Sequence, residues 1–184
     1  MSRFRAHRSP LAPGFTLVEL LVTAAILVVV SSVSFPSLVR SYEDQKLRQA
    51  AIELQAHLLR GRTLAQRLQS RCSLSISNGS AVQVSGTAGA TNNACAAANL
   101  PSLNLSAETA VRGLCVSNAD GGPASCSTPA AIQFIPLGVL AGAPQTLFLS
   151  GTATNTQFCL DLSLTLIRVG FRNASSGACT YSRS

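Results

Sequence analysis

The acid at Glu19 stands inside an apolar run, Phe15-Thr16-Leu17-Val18-Glu19-Leu20-Leu21. A carboxylate costs about 2.5–3.5 kcal/mol at the centre of a membrane helix, and such groups are usually paired. Cutting the chain after Gly14 would supply a partner: a cationic α-amine on Phe15, four residues before Glu19. The N-terminal end of a helix also favours an anion. The chemistry pointed to is therefore one proteolytic cut followed by a charge pairing, within the chain or between packed neighbours. The competing readings are an uncleaved signal anchor and a carboxylate resting at the membrane interface.

Six cysteines form the second reactive set: Cys72, Cys95, Cys115, Cys126, Cys159 and Cys179. They have no CxxC spacing, and no histidine follows His57, so zinc ligation has no donor pattern to rest on. An even number of cysteines on the side of the membrane expected away from the cytoplasm suggests disulfides, with the pairing left open. His57 has no ligand companion nearby, and His7 falls in the basic leader. Both histidines lie in the N-terminal third, and the only acids after residue 71 are Glu108, Asp120 and Asp161. That leaves no serine–histidine–acid set, and no cofactor or metal is expected.

The elements that would position these groups follow from composition. The 184 residues carry 14 Lys and Arg against seven Asp and Glu, with 47% hydrophobic and 11% charged residues and a mean hydropathy of +0.32. The hydrophobicity excludes a disordered chain, and the single long apolar run excludes a multi-span membrane protein. Residues 15–35 would cover about 32 Å as a helix, close to the thickness of a bilayer's hydrocarbon core. Arg3, Arg5 and Arg8 precede them without any acid, which sets the N-terminus in the cytoplasm and residues beyond 36 outside.

Pro36 interrupts the run and implies a kink. Beyond it, Leu47, Ala51, Leu54, Leu58, Gly61, Ala65 and Leu68 recur at steps of four and three, an apolar stripe on an amphipathic helix. Gly61 within the stripe implies close approach of a strand. Arg48, Glu53, Arg60, Arg62 and Arg67 form the solvated side. Arg60, Arg67 and Arg71 share one face, a solvated basic edge or a contact for an acidic partner, phospholipid or nucleic acid.

From Cys72 the period becomes two. Leu74, Ile76, Val82 and Val84 flank Asn78-Gly79, which predicts a hairpin with a type I′ turn. Residues 86–110 read as a long surface loop and 118–129 as a second loop. Strands are expected at 111–117, 131–135 and 145–150, with the clearest alternation at Phe158, Leu160, Leu162, Leu164 and Leu166. The fold class is α+β: a long N-terminal helix, membrane half plus amphipathic half, packed on an antiparallel β-sheet domain.

The run Gly14-Phe15-Thr16-Leu17-Val18-Glu19 resembles the processing site of type IV prepilins and type II secretion pseudopilins. The resemblance implies cleavage after Gly14 by a prepilin peptidase, N-methylation of Phe15, and an assembly role for Glu19 against a neighbour's amine. A weaker resemblance, Phe134-Ile135-Pro136-Leu137-Gly138 with Arg168-Val169-Gly170-Phe171-Arg172, is to the GspH/FimT family of minor pseudopilins and pilins. It implies a pilin-like fold and a filament subunit with other pilins as partners, stored in the inner membrane. The expected organisation is a leader at 1–14, a transmembrane and assembly helix at 15–35, an amphipathic helix at 36–71 and an extracytoplasmic β domain at 72–184. Some FimT-like proteins bind DNA through a Gly-Arg-x-Arg stretch. The matching stretch here is Gly170-Phe171-Arg172-Asn173, a partial match, which makes Arg168, Arg172 and Arg183 the candidate DNA contacts. Losing Arg3, Arg5 and Arg8 with the leader takes the basic count to 11 against seven acids, a net +4 that permits phosphate binding without demanding it.

Overall fold

The computed structural model describes residues 14–78, 81–87, 92–105, 111–118, 130–151, 156–173 and 179–181. The chain divides into two compact units, Met1–Val39 and Arg40–Ser184. Helix α1, Leu17–Arg67, contributes to both. Helix is assigned through Pro36, so the proline does not end the element. The side chains of residues 33–36, where the kink is expected, lie outside the described residues.

In the first unit α1 is apolar on every side. The large apolar side chains from Leu17 to Val30 are 53–76% exposed. A helix apolar all round has no solvent face, a pattern suited to burial in lipid or among other helices. Its hydroxyls fit that environment. Thr23 donates to the Leu20 carbonyl, Ser31 to Leu27 and Ser32 to Val29, so these side chains need no water. Among the described residues no single helix is long and apolar enough to cross a membrane. The segments Leu17–Ser32 and Ser37–Arg67 pass that test as a pair, by length and composition.

The second unit buries the predicted stripe. Leu47, Ala51, Leu54, Leu58 and Ala65 are fully buried, joined by Ala50. Leu68 and Arg71 leave the pattern because the helix stops at Arg67. Gln69 turns left-handed at φ +48°, the Ser70 N–H donates to the Ala65 carbonyl, and Gln69 Nε2 donates to the Gln66 carbonyl. These bonds cap the last carbonyls in the manner of a Schellman ending. Leu68 is consequently exposed. Arg71 sits in a bridge to Asn93 rather than on the face of Arg60 and Arg67.

Two antiparallel sheets follow. The first has the order β3-β2-β1-β5, from β1 (Cys72–Asn78), β2 (Val82–Gly86), β3 (Leu103–Asn104) and β5 (Ala130–Phe134). The second has the order β4-β6-β7-β8-β9, from β4 (Val111–Asn118), β6 (Gln145–Gly151), β7 (Thr156–Leu162), β8 (Ile167–Asn173) and β9 (Thr180–Tyr181). Leu74, Ile76, Ile132, Leu147, Leu149, Leu160 and Leu162 join the helix stripe in one core. The fold is α+β as expected.

Three local expectations are corrected. A type I′ turn centred on Asn78-Gly79 would pair Ser77 with Ser80. Instead Ser77 pairs with Gln83 and Asn78 with Val82. Asn78 is held in the strand because its side chain donates to the Leu114 carbonyl and accepts from the Leu114 N–H, joining β1 to β4 of the other sheet. The segment 86–110 is not a plain loop: it holds β3 and a short helix α2, Ala94–Ala97. The alternation from Phe158 to Leu166 is not one strand. β7 ends at Leu162, and the Ser163 N–H donates to the Leu166 carbonyl, turning the chain into β8. Leu164 and Leu166 are therefore exposed turn residues. The loop expected at 118–129 begins at Asn118, which ends β4, and 119–129 lie outside the described residues.

α2 is fixed by Asn93, a buried amide with every valence used. Its Oδ1 accepts from the Ser73 and Cys95 N–H groups at 3.0 and 3.1 Å. Its Nδ2 donates to the Ser73 and Thr87 carbonyls, both at 3.0 Å. One side chain thus caps α2 and fastens it to β1.

Candidate functional site

The N-terminal segment is built by a helix start. Gly14, Phe15 and Thr16 precede the helix, and Thr16 Oγ1 accepts from the Glu19 N–H at 3.3 Å. The Leu20 N–H donates to the Thr16 carbonyl. Thr16 is therefore the N-cap, and Thr16-Leu17-Val18-Glu19 has the Thr-x-x-Glu pattern of a capping box. Thr16 is not among the site residues expected from the sequence, and the Thr-x-x-Glu spacing is the signal that marks it. The helix begins two residues later than expected, which leaves the Gly14–Phe15 peptide in non-helical chain. A side chain at Gly14 would meet nothing within 4 Å, and Phe15 is 79% exposed. Both sides of the expected cut are open to an enzyme. Glu19 lies in the first helical turn, where a negative charge is favoured, and is exposed. Phe15 stands two residues before the helix and Glu19 two residues after its first residue.

Two disulfides are fully described. Cys72–Cys95 has a Cα–Cα distance of 5.0 Å across 23 residues, and Cys159–Cys179 has 6.5 Å across 20. Loops of this length stabilise by about 3 kcal/mol each in the chain-entropy model. Cys115 is disulfide-bonded as well, and Cys126 lies outside the described residues. No described cysteine is free.

Gly61 meets the expected close approach. A Cβ there would lie 3.1 Å from Cys72 Sγ, 3.2 Å from Leu74 Cδ1 and 3.4 Å from Cys95 Sγ. The two sulfurs are bonded to each other and cannot part to make room. Gly61→Val should cost about 2 kcal/mol by overpacking, despite the gain in helix propensity. The melting temperature of the full chain in detergent should fall by roughly 4–8 °C. An unchanged melting temperature would show that this contact yields easily.

The candidate DNA arginines are not equivalent. Arg168 and Arg172 lie four residues apart on one face of β8. Arg168 is exposed, whereas Arg172 stacks on Phe148 at 3.8 Å from the ring centre and donates from Nε to Gln157 Oε1 at 2.8 Å. Arg172 is thereby committed to the sheet. Arg183 lies outside the described residues. Between them, Gly170 is covered by Tyr181, whose ring would stand 2.6 Å from a Cβ at that position. Burial, then the nearby Asp161 carboxylate, raises the Tyr181 phenol above its ordinary pKa. A cleft of about 390 Å³ opens beside β8, lined by Arg48, Ile52, Gln55, Phe158 and Val169 through Phe171. No group of three or more His, Cys, Asp or Glu among the described residues could hold a metal ion.

His57 is buried, and its Nε2 lacks a hydrogen-bond partner. Burial, then the Arg60 charge, lowers its pKa below the usual 6.5. Above about pH 6.5 it is neutral in both folded and unfolded chains. Below that pH the unfolded chain takes up a proton that the folded chain resists, so stability falls with pH until the folded pKa is passed. The full chain should melt lower at pH 5 than at pH 7.5, and His57→Leu should reduce that difference. An equal difference in the variant would assign it to other groups.

Residues 12–35 match the family model of the prokaryotic N-terminal methylation motif. The chain thus carries a prepilin-type N-terminus, with Gly14, Phe15 and Glu19 inside the matched segment. The helix and antiparallel sheets that follow are consistent with a pilin-like fold. Among curated proteins and among solved structures the chain has no match.

Proposed function

We propose that this chain is a minor pilin or pseudopilin, a structural subunit of a type IV pilus or type II secretion pseudopilus of the GspH/FimT kind. A prepilin peptidase removes residues 1–14 and methylates Phe15. The mature chain waits in the inner membrane with its N-terminus cytoplasmic and residues 72–184 periplasmic, where the disulfides form. It then enters a filament with other pilins, the apolar half of α1 exchanging lipid for neighbouring helices. The observation that carries this reading is the matched segment at residues 12–35, with the open Gly14–Phe15 peptide and an acid in the first turn of a helix apolar all round.

The test is fractionation. Filaments sheared from cells should contain the processed chain, and the membrane fraction should hold the remainder. A processed chain that never leaves the membrane in filament-bearing cells would contradict the subunit role. DNA capture is the second reading, supported by the exposed Arg168 on β8. With Arg172 held by Phe148 and Gln157, it rests on one exposed described arginine of that strand, which faces Asp161 across the β7–β8 pair.

A further inference from the structure

The two fully described disulfides stand in opposite surroundings. Cys72 and Cys95 are both fully buried. Cys72 opens β1, which runs between β2 and β5 in its sheet, and Cys95 lies in α2. Helix α1 closes over the pair: the Gly61 carbonyl lies 3.9 Å from Cys95 Sγ, and a Cβ at Gly61 would crowd both sulfurs. From the other side the Ala94 N–H donates to the Arg71 carbonyl at 2.7 Å, and Asn93 binds β1 through the Ser73 backbone. A thiolate can exchange with a disulfide only where it can reach one of the sulfurs. Here α1, β1 and α2 enclose both.

Cys159–Cys179 is placed otherwise. Cys159 is buried in β7, but Cys179 is partly exposed and directly precedes β9. β9 is the edge of its sheet and has two residues, paired to Gly170 and Phe171 of β8. Cys159 and Tyr181 both pair opposite Gly170, so the bridge spans β8 next to the residue without a side chain. β9 sits close there: a Cβ at Gly170 would stand 2.6 Å from the Tyr181 ring and 2.7 Å from the Thr180 carbonyl. So short an edge strand has little pairing of its own, and such segments open locally well before the whole fold does. We propose that Cys159–Cys179 is a reducible latch on β9, open to exchange with a dithiol reductant in the folded chain, while α1 keeps Cys72–Cys95 sealed. A thiolate of the reductant attacks Cys179 Sγ. The sulfur–sulfur bond breaks, and its electron pair leaves on Cys159 Sγ, which takes a proton. The reductant's second thiol then displaces Cys179 as a thiol, and the dithiol departs as a disulfide. With β9 released, the backbone of Gly170 and Phe171 becomes an unpaired strand edge.

The test treats the full chain, in detergent without denaturant, with millimolar dithiothreitol. Samples are stopped with iodoacetamide, and each cysteine is read by peptide mass spectrometry. Cys159 and Cys179 should be alkylated first, with Cys72 and Cys95 roughly a hundredfold slower until denaturant is added. Hydrogen exchange of the chain reduced at Cys159–Cys179 should rise in β9 and at Gly170 and Phe171, and stay unchanged in β1 and α2. Gly170→Ala, which crowds β9, should speed the opening of Cys159–Cys179 and leave the rate at Cys72–Cys95 unmoved. Gly61→Val should do the reverse. Equal rates for the two bridges, Cys72–Cys95 opening first, or a Cys159–Cys179 bridge that also waits for denaturant would overturn the proposal. Exchange that spreads through β6 and β7 on reduction, or that does not rise in β9, would overturn it too. If Gly61→Val does not fold, the two rates in the unaltered chain decide.

Discussion

Changing Gly14 to valine should leave the whole cellular pool of the chain uncut, still beginning at Met1. Among the described residues nothing asks for glycine at this position. A Cβ would meet no atom within 4 Å, and the backbone is not among those with positive φ. Valine should therefore leave α1, the sheets and the disulfides as they are. Whatever glycine is needed for must lie in the enzyme that takes the Gly14–Phe15 peptide, where a branched side chain beside the scissile bond obstructs the approach. The expected effect is loss of at least nine-tenths of processing, read by intact mass or by mobility on a gel. Normal processing of the variant would mean that the cut lies elsewhere or does not occur.

The second large effect is at Glu19. Alanine there should leave cutting and folding intact but empty the filament of this subunit. The Thr16 cap is made to the backbone N–H of residue 19, and alanine retains that N–H. Alanine is also the better helix former. The helix start is thus preserved, and the carboxylate alone is lost. If that carboxylate is paired with an amine in an apolar filament core, its removal leaves the amine buried without its partner, at a cost of about 3 kcal/mol, a factor of roughly 100 in occupancy. Glu19→Gln should fail similarly, because the amide keeps the shape without the charge. Filaments containing the Glu19→Ala chain at the normal level would show that the acid only rests at the membrane edge.

The parts legible in the sequence were those where one physical demand dominates. The N-terminal motif was legible because an acid in an apolar run has few explanations. The stripe from Leu47 to Ala65 was legible because burial on a sheet imposes the helical period directly. Gly61 was legible because glycine in a helix has to be compensated, here by the Cys72–Cys95 bridge. The misses came where a distant partner outweighed a local signal. Asn78-Gly79 has the chemistry of a tight turn, yet Leu114 of the other sheet claims the Asn78 side chain. Leu164 and Leu166 keep the alternation of β7 although the Ser163 turn has already reversed the chain. Arg172 looked free for phosphate, and only the register of β8 on β7 shows it opposite Gln157. Thr16 differs from these. Its Thr-x-x-Glu capping pattern is local, lies within the run that carries Glu19, and is readable without any distant partner.

Intact mass spectrometry of the chain purified from its own membranes tests the central claim most directly. The account predicts, after reduction of the disulfides, a polypeptide beginning at Phe15 and one methyl group heavier than the unmodified sequence 15–184. A chain that still begins at Met1, or that starts at any residue other than Phe15, would contradict it.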